Sequence, residues 1–244
     1  MSSGHLPVNG ISMYYEVHGA GHPLVLLHGG LCTIDLNFGA LIPALAAHRR
    51  VIAVELQGHG HTADTGRPLA IATLADDVVA LLDHLGVERA DLYGFSLGGW
   101  VAFDLAVRHP GRAGHLVLAG EQLLAGAGQA ELDDPTRMPT EADFRALRDA
   151  YAAVAPDPSH FDAFGEKLTA AVHSFAAWPA DTLRTLPNPT LLVYGDHDFV
   201  RLEDAVRMHA LIPGARLAVL PATKHMDMLD RAGLLLPLIE GFLP

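Results

Sequence analysis

The stretch Gly94-Phe95-Ser96-Leu97-Gly98-Gly99 constrains this chain of 244 residues more than any other. It follows the apolar run Ala90-Asp91-Leu92-Tyr93 and opens an amphipathic stretch over residues 100–109, so it reads as the turn between a buried strand and a helix. A serine framed by glycines two residues before and after it can occupy a sharp, strained turn with its hydroxyl exposed. Side chains at the flanking positions would collide there.

Strand-length apolar runs recur at residues 23–28, 51–55, 90–95, 115–119, 190–194 and 217–220. Their near-continuous apolar character is what strands covered on both faces of a parallel sheet require. Helical patterns fall between them at 38–47, 72–85, 97–109, 202–211 and 226–242. In the second of these, Leu74, Val78, Leu81, Leu82 and Leu85 form one apolar face. Asn9-Gly10 followed by the run 11–17 predicts a hairpin leading in. Strands alternating with helices give an α/β, doubly wound architecture.

The alternation breaks once. Residues 121–187 hold no strand-like run but carry helical patterns at 142–153 and 160–175, after a leading stretch over 126–139 rich in Gly, Pro and Asp. The expected division is a core of 1–120 plus 188–244, with 121–187 as a helical cap over the carboxyl ends of the strands, where open α/β sheets bind ligands.

Charge and cysteine content exclude several roles. The net charge is −12, without a basic run, so nucleic acid is not an expected partner. No stretch approaches the ~18 apolar residues of a membrane span, and the first residues lack the pattern of a signal peptide. The single Cys32 cannot form an internal disulfide and suits a reducing compartment, so a cytoplasmic location is expected. Fifteen histidines raise the question of metal. His59 and His61 have no Cys or second His pair at ligand spacing and read as loop histidines on a solvated turn, so no metal and no cofactor are expected.

A serine hydroxyl becomes a nucleophile when a base takes its proton and a carboxylate orients that base. Past the run 190–194 comes Gly195-Asp196-His197-Asp198, and past the run 217–220 comes Pro221-Ala222-Thr223-Lys224-His225. Both segments fall at the same sheet edge as Ser96. His225 is the candidate base. Asp196 and Asp198 lie two apart, so on an extended backbone they point the same way, and spacing does not choose between them.

Taken together, His28-Gly29-Gly30, Gly58-His59-Gly60, the Gly94–Gly99 turn, Gly195-Asp196-His197-Asp198 and Lys224-His225 resemble the α/β-hydrolase fold, in its bacterial esterase, lactonase and cofactor-free haloperoxidase group. The resemblance covers essentially the whole chain and implies a mostly parallel twisted sheet flanked by helices. It implies a catalytic triad of Ser96, Asp198 and His225, since the acid in relatives ends a G-x-x-D loop, here Gly195 to Asp198. Asp196 then fixes the loop through backbone N–H groups. Some relatives place an alternative acid at the position of Glu121. The resemblance also implies an oxyanion hole from the backbone N–H groups of Gly30 and Leu97. Relatives often have Asp where this chain has Glu55, a structural position. Relatives that use an Asp nucleophile, the haloalkane dehalogenases and most epoxide hydrolases, are disfavoured by Ser96.

Gly29, Glu121 and Trp178 are the residues expected along the substrate pocket. Within 121–187, eleven acids stand against five bases, which disfavours polyanionic substrates. Of Phe144, Tyr151, Phe161, Phe164, Phe175 and Trp178, most are expected to pack the cap on the core. The implied function is a serine hydrolase acting on a small to medium, neutral carboxylic ester or lactone through an acyl-enzyme. Perhydrolase or haloperoxidase-like chemistry, C–C bond hydrolysis, or a non-catalytic small-molecule receptor are the alternatives.

Overall fold

The computed structural model describes residues 1–124 and 134–244. Residues 125–133, with the first part of the Gly-, Pro- and Asp-rich stretch and the acids Glu131 and Asp133, lie outside the described residues.

Asn9 and Gly10 sit at φ 45° and 87°, the pair of positive values that a two-residue hairpin turn of type I′ needs. They join β1 (Ser2–Val8) to β2 (Ile11–His18) in antiparallel register, Val8 opposite Ile11. β2 then pairs antiparallel with β4 (Arg49–Glu55), and every later neighbour is parallel: β3 (His22–Leu27), β5 (Ala90–Phe95), β6 (Ala113–Ala119), β7 (Thr190–Gly195) and β8 (Arg216–Leu220). The order across the eight-stranded sheet is β1-β2-β4-β3-β5-β6-β7-β8. The chain leaves β3 toward β4 and returns to its other side as β5. A crevice therefore opens at the carboxyl ends of β3 and β5.

Alternation along the strands splits the core in two. Val25 and Leu27 face a cluster built with α3 (Ile71–His84), α4 (Leu97–Arg108) and α8 (Leu202–Leu211). Leu24 and Leu26 face the opposite cluster, with α1 (Ile34–Phe38), α2 (Ile42–Leu45) and α9 (Ala232–Phe242). The single helix expected over 38–47 is instead α1 and α2, because Pro43 has no N–H to donate and sits at the start of a fresh helix. The helix expected over 226–242 likewise divides, into a 3₁₀ turn at Met226–Asp230 and α9.

Between β6 and β7 the chain forms α5 (Glu141–Val154), a 3₁₀ turn (Pro158–His160), α6 (Phe161–Ser174) and α7 (Ala180–Arg184). Thr140 and Asp143 cap α5 reciprocally. α6 is fixed to the loop after β4 by Lys167, whose Nζ donates to Asp64 at 2.6 Å, and by Phe164 lying on Gly58. A Cβ on Gly58 would stand 2.1 Å from that ring, so the glycine makes the seat for α6. Where the segment returns, the Trp178 N–H donates to the Leu123 carbonyl at 2.9 Å and Leu124 bridges to Trp178. Among the described residues no helix is long and apolar enough to cross a membrane.

Candidate active site

Ser96 stands between β5 and α4 at φ 53°, ψ −116°, a conformation that costs on the order of 1–3 kcal/mol for a residue with a side chain. Three backbone bonds hold it there. Its N–H donates to the Ala119 carbonyl at 2.7 Å, and its own carbonyl accepts from Gly99 at 2.8 Å and Trp100 at 3.2 Å. The surrounding glycines are spatial necessities. A Cβ on Gly94 would lie 2.3 Å from the Gly98 carbonyl oxygen, and one on Gly98 would lie 1.9 Å from that of Leu27. α4 thus crosses directly over the end of β3.

The acid and the imidazole arrive from the neighbouring loops. Asp198 and His225 are both buried, and the His225 Nδ1 lies 3.1 and 3.2 Å from the two carboxylate oxygens of Asp198. Nδ1 can donate to the carboxylate only if it carries the proton, which leaves Nε2 as the basic nitrogen. Asp198 also accepts the N–H of Val200 at 3.0 Å. The imidazole is held between Phe95, ring centroids 4.8 Å apart, and Phe199, 4.1 Å apart. Gly120, at φ 68°, clears its path, since a Cβ there would lie 2.9 Å from His225 Cε1. Phe95 is the residue before Ser96, so the ring that positions the imidazole also adjoins the serine. The Ser96 hydroxyl makes no hydrogen bond among the described residues.

A cavity of about 240 Å³ opens above Ser96, lined by Gly30 and Leu97 beside the serine and by Trp100, Leu168, Val172 and Phe199 further out. The loop bearing Gly30 is braced from below. His28 Nε2 accepts the Leu56 N–H at 3.1 Å, so Nδ1 holds the ring proton and donates to the Gly29 carbonyl at 2.8 Å. Burial pushes the His28 imidazole down to about 4, which keeps it neutral in that role. Asn37 Oδ1 accepts the Gly29 N–H at 2.9 Å, and Leu31 adopts φ 62°. The N–H groups of Gly30 and of Leu97, the first residue of α4, have no acceptor among the described residues.

Residues 22–157 match the family described as alpha/beta hydrolase fold. The chain is 30% identical over 262 residues to a 2-hydroxymuconate semialdehyde hydrolase of Pseudomonas sp. (strain CF600), covering 96% of this chain and 91% of that protein. It is 28% identical to a 2-hydroxy-6-oxo-2,4-heptadienoate hydrolase of Pseudomonas putida, covering 92% and 90%. Among solved structures, Est816, described as an N-acyl homoserine lactone degrading enzyme, superposes with a TM-score of 0.79 at 26% identity, covering 98% of this chain and 100% of that one.

The chain belongs to the alpha/beta hydrolase family.

It is a hydrolytic enzyme of that family, and its similar members include the hydroxymuconate semialdehyde hydrolase and the lactone-degrading enzyme just described. In this hydrolase Asp196 does not reach His225. Its carboxylate accepts the Thr223 N–H at 3.0 Å and meets His197 Nδ1 at 2.8 Å, and those bonds hold it well below the usual carboxylate range. Glu121 does line the cavity, beside Gly120. It is fully buried, with the Tyr194 hydroxyl 2.7 Å from its Oε1, and burial raises its acid to about 8, with the charge of Asp198 pushing further the same way.

Two expected pocket residues lie elsewhere. Gly29 is turned from the cavity toward the Phe95 ring, where a Cβ would stand 2.8 Å away. Trp178 packs edge-on against Phe103 and Phe175 behind the cavity wall. Of the six aromatics of 121–187, Tyr151, Phe161 and Phe164 are buried, while Phe144 is 49% exposed. His59 is not on a solvated turn. It is buried between His28 and the Phe164 ring of α6, while His61 alone stays partly open, bound to Glu55 at 2.9 Å. Glu55 serves as a structural acceptor for the N–H groups of Ile34 and His61. No group of three His, Cys, Asp or Glu side chains among the described residues could hold a metal.

The sequence pointed to none of Met138, His173 or Tyr194. The first two belong to the segment between β6 and β7, whose fold over the cavity leaves no local mark. The apolar spacing of Leu168 and Val172 on α6 was the available signal, and it reads equally well as packing.

Proposed function

We propose that the enzyme is a serine hydrolase that cleaves a small to medium, uncharged carboxylic ester or lactone. His225 Nε2 takes the Ser96 proton as Oγ attacks the carbonyl carbon. The oxygen turned into an anion is met by the N–H groups of Gly30 and Leu97. As the C–O bond breaks, the imidazolium returns the proton to the leaving alcohol, and an acyl group remains on Ser96. Water then repeats the sequence and releases the acid. Asp198 holds the imidazole in the tautomer this requires. In this reading residues 121–187 are the cap, with α6 supplying Leu168 and Val172 as the upper wall of the pocket.

The observation that carries the proposal is the strained Ser96 at the floor of the cavity, next to an imidazole bound through Nδ1 to a buried carboxylate. The wall favours an ester or lactone over the dienoates named for the C–C hydrolase relatives. A dienoate carries a carboxylate, and among the described residues no Lys or Arg lines the cavity. Cys32, buried with its thiol pushed up to about 12, suits a cytoplasmic enzyme without disulfides.

Steady release of p-nitrophenolate from p-nitrophenyl acetate, and a phosphonate adduct located on Ser96 by mass spectrometry, are the expected results. Ser96→Ala should fold and lose turnover by roughly 10⁵-fold or more. Substantial activity in that variant overturns the acyl-enzyme. A single burst without turnover in the wild type favours a receptor.

A further inference from the structure

Glu121 follows the carboxyl end of β6 and forms one side of the cavity, between Gly120 and Gln122 and near Trp100. It is 1% exposed. The Tyr194 hydroxyl lies 2.7 Å from its Oε1 and 3.0 Å from its backbone oxygen, so one phenolic proton serves two acceptors. Oε2 has no partner among the described residues. The space for this carboxyl is made by Gly99, where a Cβ would stand 3.0 Å from Glu121 Cβ and Cγ and 3.1 Å from Oε2. A glycine inside a helix is less stabilising than an alanine would be, so α4 gives up stability where Glu121 sits.

The charged and titratable groups around it do not support an anion. Tyr93 comes from β5, Tyr194 and Asp198 from β7 and its loop, and Asp204 from α8 behind Tyr194. His225 packs on the adjacent Gly120, and His173 of α6 lines the same cavity. A buried carboxylate without a cationic partner is strongly disfavoured, whereas the neutral acid needs only an acceptor for its own proton. The Tyr194 proton is taken up by Oε1 and the backbone oxygen, which leaves Oε2 as the oxygen without a partner among the described residues.

Building on the acyl-transfer reading above, we propose that Glu121 is a specificity residue whose carboxylic acid donates a hydrogen bond to an uncharged substrate oxygen outside the bond being cleaved, a carbonyl, ether or hydroxyl. A substrate bearing that oxygen pairs the unsatisfied Glu121 oxygen in the wall. A plain alkyl chain leaves it unpaired, and unpaired buried polar groups are what make such sites selective.

The test compares p-nitrophenyl 4-oxopentanoate with p-nitrophenyl pentanoate, reading the ratio of their kcat/KM values so that intrinsic reactivity cancels between variants. Glu121→Met should lower the ratio by about tenfold or more, and Glu121→Gln, which keeps an N–H donor, should hold it within about threefold. In the wild type the ratio should fall as pH rises through about 8, and in Glu121→Gln it should not. A ratio unmoved in Glu121→Met, or the same pH dependence in Glu121→Gln, overturns the proposal. Difference infrared spectra of wild type and Glu121→Gln give a second readout that needs no turnover. A protonated carboxyl band at pH 6 that the variant lacks is expected, and a carboxylate band in its place overturns the proposal. If the wild type cleaves neither ester, the acyl-transfer reading fails while the infrared result still decides the state of Glu121.

Discussion

The ends of β6 and β7 each carry a buried carboxyl group, on adjacent parallel strands and facing the same sheet edge, yet their surroundings differ in kind. Asp198, beyond β7, is surrounded by donors: the imidazole of His225 and the N–H of Val200. Glu121, beyond β6, receives a hydrogen bond from a single phenol and, among the described residues, has no Lys or Arg beside it in the cavity. One carboxyl is met by donors on both oxygens, and the other is raised by burial to about 8. The difference lies in the donors offered by the following loop, since strand position and burial are nearly the same. Different surroundings for similar groups are how one fold assigns them separate tasks.

The sharpest way to break the comparison is to remove each charge without changing shape. Asp198→Asn should lower kcat by about 10³–10⁴-fold in steady-state assays, by analogy with the serine proteases, while Glu121→Gln should leave kcat on p-nitrophenyl acetate within about tenfold. If the two results are exchanged, the acid partner of His225 sits at the end of β6.

Next in size is an effect on stability. The Glu121 acid is raised from an ordinary 4.5 to about 8 in the folded protein. Its contribution is therefore fully present below about pH 4.5 and is lost as pH rises through 8, because the unfolded chain ionises first. Glu121→Gln cannot ionise. Its melting temperature should match the wild type near pH 4.5 and exceed it by about 4 °C or more at pH 8.5. Equal melting curves at both pH values would mean the acid is not held neutral. Asp196→Asn should produce the smallest change, less than about tenfold in kcat, because its oxygen still accepts from Thr223 and never reaches the imidazole.

Legibility in the sequence followed the range of the interactions involved. The turn around Ser96, the Asn9-Gly10 hairpin and the six parallel strands rest on local sterics and alternation, and they fold as read. Asp196 and Asp198 could not be separated by spacing, since only the turn at Gly195 decides which one faces His225. His59 looked like a loop residue because glycines flank it, but Phe164, far along the chain, closes over it. Trp178 gave no direction of its own. Its ring goes to Phe103 and Phe175 because the chain has to re-enter the sheet there.

That re-entry point has a consequence for how such enzymes diversify. The bridge between Leu124 and Trp178 brings the two ends of the intervening stretch together at the rim of the sheet. The entropy of closing a loop grows only slowly with its length, about 0.6 kcal/mol per doubling. A stretch already tied at its base can then be lengthened, shortened or exchanged with little effect on strand register or on the Ser96 turn. We propose that the segment entering at Leu124 and leaving at Trp178 is an interchangeable module on a fixed socket, and grafting the corresponding stretch of another hydrolase between 124 and 178 should transfer substrate range while the chemistry stays in place.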